Sequence, residues 1–179
     1  MSKLGWGKPR IIVKDLDDPS AVWKEFPTPV QNSSQLTTTK GEKQEAKLEG
    51  GENEDVRYNK NSYALVTNIR AAKNRARPIP DVDGVVEHKY AVVLQPEDKD
   101  VPGVAIECST VSVEDTFSTE EGGIWAYTFD ALKPDTGRKQ VTWGKIIITE
   151  DGSISKVECD PTGIEGEASE KFEVAAAKA

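Results

Sequence analysis

A single histidine, His88, and two cysteines, Cys108 and Cys159, are all the soft metal ligands in these 179 residues. A zinc site of three histidines, of four cysteines or of any four-ligand His/Cys set is therefore excluded within one chain. Only His88 with both cysteines survives the count, and its wide spacing matches no zinc motif. Apolar residues are scarce as well, at 36% of the chain, below the level typical of a compact enzyme core. No apolar run approaches the length of a membrane span; the longest is Tyr90–Leu94. Basic charge is in deficit, with 23 Lys and Arg against 31 Asp and Glu for a net charge of −8. That balance argues against a general nucleic-acid binder, which needs a basic footprint to displace phosphate counterions. Residues Met1–Arg10 hold no apolar core of a secretory signal, so the chain is expected to be made in the cytoplasm, with two free, packed thiols.

What is present is short apolar runs punctuated by proline and glycine. Arg10–Lys14 is β-branched and ends at a turn signal, Asp17–Pro19. Ala21–Phe26 is partly apolar before Pro27, and the two runs are expected to form a hairpin. In Ser62–Ile69, period two puts Tyr63, Leu65, Thr67 and Ile69 on one face. Tyr90–Leu94 and Val104–Val113 follow, then a strand placing Trp125, Tyr127 and Phe129 together, then Val141–Ile148 and Ser153–Val157. Six or more strands with short turns predict an all-β antiparallel sandwich or barrel over residues 1–160. Residues 161–179, rich in Gly and Glu and ending in alanines, read as a flexible C-terminal tail.

Between Thr37 and Asn61 only Ala46, Leu48, Val56 and Tyr58 are apolar. Helical spacing would set Lys43 against Lys47 and Glu45 against Glu49, two like-charge pairs that destabilise a helix. As a strand, Lys43, Glu45, Lys47 and Glu49 share one face with alternating sign, and Ala46 and Leu48 share the other. The strand is the better reading, broken by Gly50–Gly51. A projecting hairpin of this composition cannot bury itself; it is disordered alone or ordered by a partner. The candidate inter-subunit residues are Lys40, Glu42, Lys43, Glu45, Lys47, Leu48, Glu49 and Glu52. Charge is also segregated. Val56–Pro80 has no acid but carries Arg57, Lys60, Arg70, Lys73, Arg75 and Arg77. Gln95–Glu121 has eight acids, among them Glu114, Asp115, Glu120 and Glu121, against Lys99 alone. Either the two stretches balance within one molecule, or they meet on neighbouring copies as head-to-tail rings require.

No catalytic constellation stands out. His88 has no nucleophile motif to serve and reads as a surface or strand-end histidine. Asp81, Asp83 and Gly84 suggest a calcium-loop fragment but lack its remaining ligands, so they read as an Asp-Gly turn. Gly5–Gly7 and Gly163–Gly166 are not followed by the Lys-Ser/Thr of a phosphate loop. Glu114–Asp115 with Glu120–Glu121 carries little glycosidase information in so acidic a chain. Of four tryptophans, Trp125 and Trp143 read as core, leaving Trp6 and Trp23 as a conceivable sugar-stacking pair. The expectation is a non-enzyme with no metal and no cofactor.

The blocks Phe26–Pro29, Leu36–Glu52, Val56–Tyr58, Tyr63–Val66, Pro80–Val86, Tyr90–Pro96 and Gly103–Ile106 resemble, in pattern and order, a phage major tail tube protein of the Bacteroidetes phage or prophage type. The resemblance covers residues 8–150. It implies a small β-sandwich with a flanking helix, for which Asp81–Lys89 is the weak candidate. It implies copies closed into six-membered rings that stack into a tube, each adding strands to a continuous inner barrel, with a long loop reaching the next ring. The expected role is structural, in the virion tail, with other copies and other tail proteins as partners and no membrane. DNA would pass through without specific binding, and an acidic lumen would repel its phosphates. Tubes of contractile injection and type VI secretion systems share a related fold and are the close alternative; a carbohydrate-binding β-sandwich is the rival from another class.

Overall fold

Three runs of consecutive apolar residues, Ile11–Val13, Ala91–Val93 and Val104–Ile106, are buried at every position. A strand wet on one face alternates, whereas a strand covered on both faces reads as an unbroken apolar run. The three runs therefore form a central layer. In the computed structural model, which describes residues 4–176, they belong to β1 (Arg10–Asp15), β7 (Tyr90–Gln95) and the first part of β8 (Gly103–Ser118). Antiparallel pairing joins β1 to β7 and β7 to β8. On the edge of β1 lies β2 (Lys24–Glu25), making the expected hairpin with a shorter second strand.

One face of this layer packs against β6 (Ser62–Arg70) and β9 (Gly122–Ala131). Ile11, Val13, Val92 and Ile106 meet Leu65, Ile69, Tyr127 and Phe129 there. Phe26 sits edge-on to Tyr127, ring centroids 5.2 Å apart, and the Tyr127 hydroxyl donates to the Ile79 carbonyl at 3.1 Å. The other face is covered by β10 (Thr142–Asp151), β11 (Ser153–Asp160) and β12 (Phe172–Glu173), where Ile12, Ala91, Val93 and Ala105 pack on Ile146, Val157, Cys159 and Trp23. The sandwich thus has a shared middle layer and two cores.

β8 makes this possible by serving two sheets. Its start pairs with β7 and β10, and from Ser109 onward it pairs with β9. β9 in turn pairs with β6, and β6 with β3 (Gln35–Thr39). β4 (Lys43–Lys47) and β5 (Asn53–Tyr58) form a separate two-stranded ribbon between β3 and β6.

The structure corrects three expectations. No helix occurs among the described residues: Asp81–Lys89 is a tight turn in which Val82 and Val85 exchange both backbone hydrogen bonds across Asp83 (φ 51°) and Gly84 (φ 82°). Positive φ at both central positions is the Asp-Gly hairpin turn, which cannot continue as a helix. The surface and core tryptophans are exchanged, for Trp23 is 6% exposed and Trp143 is 43% exposed. Apolar residues occur at both parities of Val141–Ile148, and Gly144 decides which face turns in. A Cβ there would lie 2.7 Å from Cys159 Sγ and 2.8 Å from the Asp160 carbonyl, so only glycine admits β11, and Trp143 must face outward. Trp125 is partly buried against the first core. Finally, residues 161–176 are not a loose tail: β12 pairs with β11, and Val174 is fully buried with its N–H on the Val157 carbonyl. Residues 177–179 lie outside the described residues.

Candidate assembly interface

Alternation in β3, β6, β9 and the second part of β8 builds a four-stranded sheet with one buried face and one open face. Leu36, Leu65, Phe129 and Val111 lie in one register row facing the core. The neighbouring row, Gln35, Val66, Thr128 and Ser112, faces out. The open face carries short side chains, with Glu114 and Asp130 against Arg70 as its charges.

Among the described residues, neither lateral edge of this sheet is covered by a full strand. β3 pairs with β6 alone, and beyond Ser112 no strand among the described residues lies on the far side of β8. Proteins usually blunt such edges with charge, proline or a bulge. β3, Gln-Leu-Thr-Thr-Thr, has none of these. At the opposite edge Phe117 stands 79% exposed, with Val82 and Val85 also exposed nearby in chain order and pairing. The uncharged, Thr-rich run of β3 is the sequence signal for this edge.

The candidate hairpin residues form the β4–β5 ribbon, in which every residue from 42 to 60 is exposed. Lys43 and Lys47 both reach the Glu45 carboxylate, as the shared face predicted, and Lys43 holds that carboxyl below its usual range. Lys40 lies over the Tyr58 ring at 5.4 Å, and the Glu42 carbonyl accepts the Asn59 N–H at 2.9 Å. Leu48, Glu49 and Glu52 form the tip, with Leu48 and Glu52 closing the turn at 2.8 Å. Leu48, Val56 and Tyr58 stand 37–57% exposed.

The basic and acidic stretches meet within one molecule at two points, Arg77 with Asp115 and Arg70 with the Glu121 carbonyl. Arg77 bridges Asp81 at 2.8 Å and Asp115 at 2.7 Å, its guanidinium 5.1 Å from the centre of the Trp125 ring. Hydrogen bonding to Arg77 holds the Asp115 carboxyl below its ordinary range. Arg70 donates to the Glu121 carbonyl, and Arg75 to the Arg70 carbonyl at 2.7 Å. Arg57 lies on the ribbon opposite Gln44, Lys73 in the exposed 72–76 stretch of the loop after β6, Glu114 on the open sheet face, and Glu120 in the β8–β9 turn.

Other candidates are brought nowhere near a common site. His88 is half-exposed at the start of β7, 2.7 Å from Asp15, which raises its pKa. Cys159 is buried and Cys108 partly so, both as free thiols. With Trp23 in the core, Trp6 and Trp23 cannot form a sugar-stacking pair. A cleft of about 260 Å³ lies between Asp15, Lys24 and Tyr90, and one of about 350 Å³ is lined by Arg138, Lys139 and Lys171. The three cations of the second are committed to Glu107, Glu165 and Glu158 respectively, and Glu107 is itself buried. No three His, Cys, Asp or Glu side chains among the described residues converge as metal ligands. Compared with known proteins, the sequence matches no family model and has no significant match among curated proteins.

Proposed function

We propose that this chain is the structural subunit of a tube, of the phage tail-tube kind, whose copies join edge to edge into rings and whose rings stack. The observation that carries the reading is the four-stranded sheet with two open edges, β3 and the second part of β8. Strand directions alternate across it, so β3 of one copy meets β8 of the next in antiparallel sense. Such a contact joins two different surfaces, and it closes into a ring when the rotation per copy divides the circle. A closed ring has no sheet edge left to protect.

On this reading the open face of the sheet, with its short side chains, lines the channel. Glu114 and Asp130 add acid to a lumen that DNA crosses without being held. The β4–β5 ribbon projects from the same sheet and reaches the adjacent ring, where Leu48, Val56 and Tyr58 find cover. A tube of a contractile injection or type VI secretion system would use the same geometry, with protein rather than DNA as cargo.

Negative-stain microscopy of concentrated, purified protein tests the reading: rings of uniform diameter and stacked tubes are expected. Deleting Lys43–Glu54 should leave a folded protein that forms rings and no longer stacks. Protein that stays monomeric at high concentration on prolonged incubation would refute the proposal.

A further inference from the structure

The edge of β8 is not wholly vacant: the Val82–Val85 turn lies across it, Val85 opposite Ser112 and the Gly84 carbonyl accepting the Val113 N–H at 3.1 Å. We propose that this turn is a latch, and that the β3 strand of a second copy displaces it to add to β8 in one register: Gln35 opposite Thr116, Thr37 opposite Glu114 and Thr39 opposite Ser112. The inference rests on the edge-to-edge reading above and adds to it the register and a gate.

The register follows from closure. Strands of a closed barrel tilt, and each is staggered against the last by about one residue. Four strands per copy therefore accumulate a stagger of about four residues. Within one copy Gln35, Val66, Thr128 and Ser112 share a row. The neighbour's Gln35 must then lie about four residues from Ser112 along β8. Stagger in one direction puts it beside Cys108, with Thr39 beside Val104, where β7 and β10 already occupy both sides. Only the other direction is open, and it leads to Thr116. An even stagger also keeps faces matched, so that Leu36, a core-facing residue, falls opposite Asp115 and diagonal to Phe117. Cross-strand diagonals lie within reach of an aromatic ring. Phe117, otherwise 79% exposed, gains an apolar neighbour by this step.

In that register Thr38 and Thr39 fall opposite Val113 and Ser112, the two positions the turn now holds. Both cannot be occupied at once. The turn is fastened by the Asp81 carboxylate, which accepts the Gly84 N–H at 2.9 Å and the Arg77 guanidinium at 2.8 Å. Arg77 ties the turn in turn to Asp115 on β8. A Cβ at Gly84 would lie 2.7 Å from the Val113 carbonyl, so the turn sits hard against the edge it covers. An isolated copy thus keeps half of its pairing edge closed, and an incoming strand must open it.

Disulfide locking tests the gate. Val85 and Ser112 are a non-hydrogen-bonded antiparallel pair, the closer of the two pair types and within disulfide reach. In a Cys108→Ser background, Val85→Cys with Ser112→Cys should stay monomeric in sedimentation when oxidised and assemble like wild type once reduced. Thr37→Cys with Glu114→Cys, in the same background, should give a ladder of covalent multimers on oxidation of assembled protein, and Thr37→Cys with Thr110→Cys should not. Assembly of the oxidised lock to the extent of its reduced form would overturn the latch. A ladder from the Thr110 pair instead would overturn the register. Wild-type protein that fails to assemble at all would overturn the tube reading, and the latch with it.

Discussion

Replacing Trp23 by alanine and, separately, Trp143 by alanine sets the two-core architecture against the simpler two-layer reading. Trp23 is 6% exposed and packs with Ile12, Val93 and Ile146 in the second core. A tryptophan this deep removes roughly 200 Å² from water, worth about 5 kcal/mol at ~25 cal/mol per Å². Alanine keeps a little of that area and the neighbours relax only in part, so the expected loss is about 3–5 kcal/mol. Trp143 points outward beside Gly144, and truncating it opens no cavity; about 1 kcal/mol is expected from the area it does cover. For a chain of this size each kcal/mol moves the melting temperature by about 2–4 °C. Trp23→Ala should therefore melt roughly 6–20 °C below wild type, and Trp143→Ala only about 2–4 °C below. Differential scanning calorimetry measures both, and acrylamide quenching gives an independent check, since Trp143→Ala should remove quencher-accessible emission and Trp23→Ala should remove shielded emission. Equal losses, or the larger loss at Trp143, would refute the second core.

Three further outcomes follow from particular contacts. His88 is the only histidine, so one imidazole resonance reports its titration; its pKa should lie above the ordinary value and fall back in Asp15→Asn, because hydrogen bonding to Asp15 favours the charged ring. Since the folded pKa is the raised one, the stability contributed by this pair is complete below the unfolded value near 6.5 and is lost as pH rises through the folded pKa, so wild type and Asp15→Asn should differ most in urea midpoint below about pH 6. Burial pushes the Cys159 thiol up to about 12, and native protein should leave it unlabelled by a thiol reagent at pH 8 while Cys108 reacts slowly; both should react at once in denaturant. Gly144→Ala drives a Cβ into Cys159 Sγ and the Asp160 carbonyl, and a loss of about 1–3 kcal/mol in urea unfolding is expected from the overpacking.

Much of the fold was legible because its signals are local. Period two in Ser62–Ile69 names the buried Leu65, Thr67 and Ile69, and like-charge spacing in Lys43–Glu49 rejects a helix in favour of the ribbon. The double life of β8 was written in its residues too: unbroken Val104–Ile106 for a strand covered on both faces, then alternation at Val111 and Val113 for one covered on one. What was illegible depends on contacts made far along the chain. Trp143 faces out because Cys159 and Asp160 press on Gly144, and nothing within residues 141–148 records that. Val174 is buried because β11 offers an edge and a gap beside Val157, so a Gly/Glu-rich stretch that reads as a tail becomes part of the body. The pairing of Arg77 with Asp115 crosses a loop whose path the sequence does not describe. The open edges were half legible: β3 is visibly uncharged and β-branched, but only the sheet order reveals that it is last in line.

The burial of Val174 fixes the order in which a nascent chain can finish folding. β1 must wait for β7, more than seventy residues later, before its second neighbour exists, and the second core stays open until Val174 arrives to cover Val157 and Cys159. Contacts this distant along the chain make folding slow, and a polypeptide released early would carry an uncovered apolar core and the unguarded edge of β11. A chain that lacks Val174 therefore leaves Val157 and Cys159 uncovered and is exposed to aggregation or proteolysis.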